Sequence, residues 1–283
     1  MTIDGKAIAL GVKESLRERV ADLKEKFGRV PCLAVVIVGD NPASHSYVRS
    51  KIEAAAFVGI DGHEIELPAD VTEEELLHTV ATLDADPSID GVLVQLPLPP
   101  QVNPDKVLDV ISPEKDVDGF HPRNVASLHL GRPCTFPCTP KGIIRLIDST
   151  GTVIDGKRAV VIGRSNIVGK PVAKLLQDRN ATVTVAHSHT PDLAALTREA
   201  DILVVATGHA GLVDGSMIKP GAVVIDVGIT RRGKRLIGDV DFASASQVAS
   251  YITPVPGGVG PMTVAMLMEN TIECFEARMQ QIS

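Results

Sequence analysis

The fold is decided by the stretch Arg158-Ala-Val-Val-Ile-Gly-Arg-Ser-Asn-Ile-Val-Gly-Lys-Pro171. An apolar, β-branched run leads into a turn that contains Gly163 and Gly169, and a helical pattern follows. Backbone amides at such a helix start bind pyrophosphate, and glycine permits close backbone approach. Because the spacing departs from G-x-G-x-x-G, a plain α/β turn is the alternative. Two further apolar runs, at 182–186 and 202–206, complete a βαβ context and favour a dinucleotide site.

Outward from this stretch, apolar runs of strand length alternate with segments of helical period, which predicts an α/β fold with mostly parallel strands flanked by helices. We predict strands at 32–38, 64–67, 91–96, 159–162, 182–186, 202–206 and 222–227. We predict helices at 6–27, 44–58, 73–83, 141–148, 168–177 and 263–279. The proline-containing segment 117–140 is interpreted as a long connection without regular structure. We therefore expect two domains, 1–140 and 141–262, with the last helix, 263–283, packed back on the first.

Composition excludes several classes of protein. The chain has 283 residues, 44% of them hydrophobic and 22% charged, as in ordinary globular proteins of about two domains. A formal charge of −7 makes nucleic acid and anionic lipid poor partners. No apolar run reaches the roughly 18 residues of a membrane span, and the amino terminus lacks a signal-peptide pattern, so we expect a cytoplasmic protein. The four dispersed cysteines predict reduced thiols and no metal site.

The end of the second nucleotide-domain strand indicates which dinucleotide is bound. A site for NAD typically has an Asp or Glu there, roughly 20 residues after the glycines. This chain has His187-Ser188-His189 instead, and Arg164 lies in the preceding turn. Positive charge and hydroxyl donors suit a 2′-phosphate, so NADP is favoured over NAD. The alternatives are a solvated Arg164 and histidines that face solvent.

The amino-terminal half contains residues suited to acid–base chemistry and to amide recognition. Tyr47 and Lys51 are four apart, so they share a helix face and could handle a proton together, although surface pairs at this spacing are common. Gln95 lies at the carboxyl end of an apolar strand, where open α/β sheets bind ligands. Asp116 and Asp118 are either turn-forming acids or acceptors for a pterin-like donor face. The glycine- and proline-rich stretch 253–263 suggests backbone packed close to a ligand.

Taken together, these segments resemble the methylenetetrahydrofolate dehydrogenase/methenyltetrahydrofolate cyclohydrolase family over essentially the whole chain. The shared blocks are the Tyr47–Lys51 helix and the segments 94–99, 115–122, 137–142, 163–171, 226–229, 238–240 and 253–263. The resemblance implies an amino-terminal α/β lobe, a Rossmann-like NAD(P)-binding domain, a folate cleft between them and a homodimer. It also implies a role in one-carbon metabolism, including the supply of purine biosynthesis.

The resemblance also implies roles for individual residues. Lys51 is the expected catalytic lysine, Tyr47 stacks on or orients the folate, and Gln95 tunes the protonation of the lysine. The implied substrate-binding residues are Tyr47, Lys51, Gln95, Leu96, Pro97, Asp118, Pro254, Gly257 and Gly258. The implied NADP-binding residues are Gly163, Arg164, Ser165, Ile167, Val168, His187, Ser188 and Ile229.

The expected reaction has two steps. 5,10-Methylenetetrahydrofolate is oxidised with NADP, a step dominated by positioning. The methenyl product is then hydrolysed to 10-formyltetrahydrofolate, with neutral Lys51 as the expected general base. The alternatives are a shikimate-type NADP-linked dehydrogenase, a dehydrogenase without efficient cyclohydrolase activity, and a catalytically silent nucleotide sensor.

Overall fold

The computed structural model describes residues 1–233 and 235–282. The helices are α1 (Gly5–Phe27), α2 (Pro42–Val58), α3 (Glu73–Ala85), α4 (Pro104–Val110), α5 (Pro122–His129), α6 (Cys138–Asp148), α7 (Gly169–Asp178), α8 (Leu193–Thr197), α9 (Phe242–Ala245) and α10 (Val259–Ile282). The strands are β1 (Cys32–Val38), β2 (Asp61–Leu67), β3 (Gly91–Val94), β4 (Arg158–Ile162), β5 (Thr182–Ala186), β6 (Ile202–Val205), β7 (Val223–Asp226), β8 (Thr230–Arg232), β9 (Arg235–Ile237) and β10 (Tyr251–Ile252). Among the described residues, no helix is both long enough and apolar enough to span a membrane.

The chain forms two compact units. The first, here called the three-stranded unit, contains Gly11–Cys138 and the residues from Val264 onward. The second, here called the five-stranded unit, contains Met1–Leu10 and Thr139–Thr263. Helices α1 and α10 contribute residues to both units.

The three-stranded unit is built on a parallel sheet in the order β2-β1-β3. The central strand β1 is buried along its whole length, which explains its uninterrupted apolar sequence. The edge strand β2 alternates between exposed and half-buried residues and carries several charges. Charged edge strands discourage pairing with other chains, so this sheet stops at three strands.

One polar and one aromatic contact hold α10 against the three-stranded unit. The fully buried carboxylate of Asp90 accepts hydrogen bonds from Arg29 (2.7 and 2.8 Å) and from Arg278 (2.7 Å) of α10. One turn earlier in this region of the helix, the Phe275 ring meets that of Phe27 edge-on at 5.7 Å. A buried charge needs such partners to offset its loss of hydration, so removal of either arginine should destabilise the unit.

The five-stranded unit contains a parallel sheet in the order β10-β7-β6-β4-β5. After β5, the chain crosses to the other side of β4 to form β6. This reversal between β4 and β6 is a topological switch point, and ligands of open α/β sheets bind outside the carboxyl ends of the strands there. The fold therefore places the candidate dinucleotide turn, which follows β4, at the expected edge.

The first ten residues belong to the five-stranded unit, whereas the predicted boundary grouped them with the residues up to 140. The Ile3 N–H donates to the Ile252 carbonyl at 2.8 Å, and Thr2 forms a parallel bridge with the same residue. Gly5 is equally constrained, because a Cβ there would lie 2.0 Å from the Gly258 carbonyl oxygen. These are long-range pairings, which local sequence patterns do not reveal.

The expected α/β class is confirmed, and the predicted strands and long helices are present with ends shifted by a few residues. The interpretation of 117–140 as a connection without regular structure is wrong, because α5 and the start of α6 lie in it. Pro122 occupies the first turn of α5, where its missing N–H costs nothing, and the His121 ring accepts the Arg123 N–H at 3.1 Å. The short elements α4, α8, α9, β8, β9 and β10 were not predicted.

Candidate active site

Helix α2 carries the candidate catalytic lysine. Val48 and Ala55 are fully buried and fix the orientation of the helix against its unit. Lys51 lies half-buried on a different face of α2, and Tyr47, one turn earlier, is 50% exposed. An amine on a half-buried helix face with an accessible phenol nearby is a suitable arrangement for proton transfer to a ligand.

Gln95, just beyond β3, is brought to the lysine. Lys51 Nζ donates to Gln95 Oε1 at 2.9 Å. The amide nitrogen Nε2 of Gln95 donates to the Leu96 carbonyl at 2.6 Å, so the side chain can present only its oxygen to the amine. The Leu96–Pro97 peptide bond is cis. A pair 44 residues apart in sequence is thus in direct contact.

The two acids before Gly119 have different environments. Asp116 is buried and accepts the N–H groups of Gly119 (3.0 Å) and His121 (2.7 Å) and the amide of Asn124 (2.9 Å). Asp116 is therefore a turn-forming acid, one of the two roles that the sequence allowed for each of these residues. No backbone N–H within the described chain donates to Asp118, which is half-buried and available to a ligand.

Asp118 also has an unusual affinity for protons. Loss of hydration raises the pKa of its carboxyl from 3.8 to about 6, and the negative charge of Asp116 acts in the same direction. The positive charge of Lys51 lowers this pKa and limits the rise. The lysine and the acid therefore influence each other electrostatically, and Asp118 changes charge close to neutral pH.

Two residues that the sequence analysis did not select support Asp118. The Cys138 thiol lies 3.9 Å from Asp118 Oδ1 and donates to the Val117 carbonyl at 3.3 Å. Asn270, buried in α10, donates through Nδ2 to the carbonyls of Val117 (2.8 Å) and Phe136 (2.9 Å). The available signal was the polar group Glu269-Asn270-Thr271, which follows the apolar run 264–268 of the predicted last helix.

In the five-stranded unit, the turn after β4 is built on glycine. Gly163 has φ of 119°, and a Cβ there would lie 2.2 Å from the Ala206 carbonyl oxygen. A Cβ at Gly169 would lie 2.2 Å from the Gly163 carbonyl oxygen, so neither position admits a side chain. The Ser165 hydroxyl accepts the N–H groups of Val168 (3.2 Å) and Gly169 (3.3 Å) at the start of α7. Ser165 thus orders the turn internally.

The other candidate cofactor residues lie around the same edge. Arg164, Ile167 and Ser188 are exposed, and Arg164 forms no salt bridge with any residue that the structure describes. His187, at the end of β5, is half-buried, and its N–H donates to Thr190 at 2.9 Å. Ile229, after β7, is 45% exposed. Polar and cationic groups at this edge are therefore free to meet a ligand.

The glycines of the loop after β10 are explained by the packing of the protein itself. A Cβ at Gly258 would lie 2.7 Å from the Pro254 carbonyl oxygen, and Gly257 has φ of 106°. The Val255–Pro256 peptide bond is cis. The loop is thus tightly folded within the five-stranded unit, and its contact with substrate stays a prediction.

Comparison with known proteins identifies the family. The profile of the tetrahydrofolate dehydrogenase/cyclohydrolase catalytic domain matches residues 3–118, and that of the NAD(P)-binding domain of the same family matches residues 137–279. The chain belongs to the tetrahydrofolate dehydrogenase/cyclohydrolase family. The resemblance stated from the sequence is thereby confirmed.

Relatives within the tetrahydrofolate dehydrogenase/cyclohydrolase family cover almost the whole chain. A protein of Listeria innocua named bifunctional protein FolD is 57% identical over 96% of this chain and 95% of its own. The crystal structure of FolD from Campylobacter jejuni has a TM-score of 0.96 at 48% identity and covers 98% of this chain and 99% of its own. The Trypanosoma brucei FolD structure, complexed with NADP and an inhibitor, has a TM-score of 0.95 at 46% identity, with 99% of this chain and 98% of that chain covered.

The nucleotide edge of this family member fits a dinucleotide. Because Gly163 and Gly169 carry no side chains, backbone groups are accessible at the switch point, as the binding of pyrophosphate requires. The exposed guanidinium of Arg164 and the hydroxyl of Ser188 supply charge and donors beside it. No acid follows β5 directly, since residues 187–189 are His, Ser and His.

Proposed function

We propose that this chain oxidises 5,10-methylenetetrahydrofolate with NADP and then hydrolyses 5,10-methenyltetrahydrofolate to 10-formyltetrahydrofolate. The observation that carries the proposal is the 2.9 Å contact of Lys51 Nζ with Gln95 Oε1, together with the electrostatic influence of Lys51 on Asp118. An amine, an amide and an acid grouped in this way in a member of this family can bind a folate and handle the proton of the hydrolysis.

Lys51 acts in the hydrolysis. Water attacks the methenyl carbon, and the neutral amine takes the proton that the water loses as the new C–O bond forms. The bond between that carbon and one ring nitrogen then breaks as the added hydroxyl becomes the formyl carbonyl, and the proton that the hydroxyl loses passes to the leaving nitrogen. Gln95 is the positioning residue, since its fixed oxygen accepts a hydrogen bond from Nζ and aims the amine. Tyr47, one turn away on α2, is accessible enough to contact the pterin or the reacting water.

Asp118 binds the pterin. Its ionised carboxylate accepts two hydrogen bonds from the N3–H and 2-amino groups, a charge-assisted pair of the strong type. Leu96 and Pro97, beside Gln95, supply apolar contact from the same unit. Pro254, Gly257 and Gly258 are further proposed substrate contacts, which the resemblance implies.

NADP is held by the glycine turn, with Arg164 and Ser188 on its 2′-phosphate and with Ile167, Val168, His187 and Ile229 along its length. When bound, NADP supplies the hydride acceptor for the oxidation. The cation that results is stabilised by two nitrogens of the folate, so the side chains of the protein need only align the reactants. Ser165 contributes by ordering the turn through its bonds to Val168 and Gly169.

We further propose that the chain acts in the cytoplasm as a homodimer, with its folate-binding and NADP-binding domains divided near residue 140. The family resemblance supports this assignment.

A spectrophotometric assay tests the function. Purified protein is mixed with 5,10-methylenetetrahydrofolate and either NADP or NAD, and nucleotide reduction and methenyl decay are followed together. We expect NADP to be reduced faster than NAD and methenyltetrahydrofolate to be hydrolysed without any nucleotide. A protein that accumulates the methenyl compound is a dehydrogenase alone, and one that reduces no nucleotide with this folate contradicts the proposal.

A further inference from the structure

Two buried acids in the five-stranded unit have no part in the proposed chemistry. Asp226 ends β7 and is 4% exposed, and Asp239 follows β9 and is fully buried. Neither forms a salt bridge with any residue of the described ranges, 1–233 and 235–282. Buried, unpaired acids are rare because dehydration penalises the charge, so each needs an explanation.

Asp226 joins three segments of chain. Its Oδ1 accepts the N–H groups of Gly228 (3.0 Å) and Asp239 (2.9 Å), and its Oδ2 accepts that of Val240 (3.0 Å). Its own N–H donates to the hydroxyl of Thr253 at 2.8 Å. The carboxyl group thus fixes the loop after β7 and the segment after β9, while the backbone N–H of the same residue contacts the start of the loop after β10.

Asp239 holds a fourth segment with one of its oxygens. Its Oδ2 accepts the Thr207 N–H (2.6 Å), the Thr207 hydroxyl (2.9 Å) and the Gly208 N–H (2.9 Å), all just beyond β6. Its Oδ1 is buried and has no hydrogen-bond partner in the part of the chain that the structure describes. The two oxygens therefore differ: Oδ2 accepts three hydrogen bonds, and Oδ1 accepts none from the described residues.

The two acids interlock with two glycines. A Cβ at Gly228 would lie 2.1 Å from Asp239 Oδ1, and a Cβ at Gly238 would lie 1.9 Å from Asp226 Oδ2. Each carboxyl group occupies the space of the side chain that the opposite segment lacks. The pattern Asp226-x-Gly228 followed by Gly238-Asp239 is thus one structural unit, here called the carboxylate clasp.

The clasp lies at the edge that binds ligands in this class of fold. Two of the segments that it joins follow β6 and β7 at the carboxyl ends of parallel strands. Ile229, a proposed cofactor contact, comes directly after Gly228. The alignment of this edge therefore depends on the carboxyl groups of Asp226 and Asp239.

We propose that Asp226 and Asp239 are positioning residues for NADP, whose carboxyl groups hold the segments after β6, β7 and β9 in the arrangement that the dinucleotide requires. The proposal rests on the proposed function, since it assumes that NADP binds at this edge. It extends that function by assigning a role in cofactor affinity to two acids that lie in the shared blocks 226–229 and 238–240 but had no role there.

The unequal oxygens predict unequal tolerance of asparagine. In Asp239→Asn, the amide NH2 can take the place of the partnerless Oδ1 while the carbonyl keeps all three donors. In Asp226→Asn, both oxygens already accept N–H groups, so the NH2 must face a donor. We expect Asp239→Asn to keep the NADP Kd within about threefold and Asp226→Asn to raise it about tenfold or more.

The experiment measures NADP binding by calorimetry for these variants and for Asp239→Ala and Thr207→Ala, with thermal unfolding as a control for folding. Nucleotide-independent hydrolysis of methenyltetrahydrofolate reports separately on the three-stranded unit. The matched control is Asp241→Asn, an exposed acid whose side-chain partner is Ser244 (2.6 Å). It should leave the NADP Kd unchanged.

An increase of about tenfold or more in the NADP Kd for Asp239→Ala, with hydrolysis retained, supports the proposal. A Kd within threefold of the parent overturns it, as does equal tolerance of asparagine at the two positions. If Asp239→Ala fails to fold, Thr207→Ala decides, because it removes one hydrogen bond of the clasp: a weaker Kd supports the proposal and an unchanged Kd overturns it. A parent chain that neither binds NADP nor hydrolyses the folate instead contradicts the proposed function.

Discussion

Folate binding should weaken as the pH falls below neutrality, because Asp118 must be ionised to accept the pterin donors. Loss of hydration raises the pKa of its carboxyl to about 6, and protonation replaces one acceptor with an O–H that faces the N–H groups of the ligand. This requirement sets the direction of the pH dependence of folate affinity. Binding favours the ionised form, so affinity is full well above this pKa and is lost as the pH falls through it.

The magnitude follows from the same value. With a pKa of about 6, the carboxyl is roughly 97% ionised at pH 7.5 and roughly 9% ionised at pH 5. The apparent Kd for folate should therefore rise about tenfold between these pH values, which corresponds to about 1.4 kcal/mol. Lys51 lowers the pKa of Asp118, so Lys51→Met should move the midpoint of this pH profile to a higher value.

Calorimetric titration with methenyltetrahydrofolate in the Lys51→Met background, where hydrolysis is blocked, measures the profile between pH 5 and 8. Folic acid, which does not react, allows the same titration with the parent chain. Asp118→Asn is the control, since it keeps the shape of the side chain without the titration, and it reports any protonation of the ligand itself.

A folate Kd that is independent of pH in the parent chain would refute the assignment of Asp118 to the pterin. The same holds if Asp118→Asn retains the full pH dependence. An identical midpoint with and without the Lys51 amine would refute the electrostatic link between the two groups.

The remaining predictions concern single substitutions. Lys51→Met should reduce cyclohydrolase kcat by about 10²- to 10⁴-fold while folate still binds, whereas Lys24→Met, an exposed lysine on α1, should have no effect; a fully active Lys51→Met would remove the lysine from the mechanism. Arg164→Ala should lower the ratio of kcat/KM for NADP to that for NAD, and an unchanged ratio would count against its phosphate contact. Gly163→Ala should abolish NADP binding in calorimetry, because its Cβ would lie 2.2 Å from a backbone oxygen. Asn270→Leu should lower the free energy of unfolding by about 1–3 kcal/mol in urea titrations, since the Phe136 carbonyl loses its Asn270 donor and the Val117 carbonyl keeps only the weak thiol donor of Cys138, and a neutral result would contradict its anchoring role.

The sequence predicted the elements that carry chemistry because each has a local signal. Lys51 lies on a helix of clear period, Gln95 ends an apolar strand, and the glycine turn follows β4. What the pattern could not decide was which of Asp116 and Asp118 forms the turn. That choice depends on the amide of Asn124 and on burial, which only the folded chain specifies.

Features that depend on distant pairings were not predicted. The bridge of Thr2 to Ile252 joins opposite ends of the chain, and no local periodicity of the sequence indicates it. Helix α5 was overlooked because Pro122 was interpreted as a break, although proline suits the first turn of a helix. The clasp of Asp226 and Asp239 requires the loop after β7 to meet the segment after β9, and a local sequence pattern does not indicate this contact.

The antiparallel ribbon of β8 and β9 leaves the sheet directly after Gly228 and returns at Gly238. The carboxyl groups of Asp226 and Asp239 close the base of the ribbon, and the Thr230 hydroxyl at that base donates to the Gly208 carbonyl at 3.3 Å. We therefore expect the ribbon beyond Ile229 and Thr230 to tolerate changes of sequence and length without a change in NADP affinity. Evolution can use this appendage to present new surface to other molecules while the chemistry below stays the same.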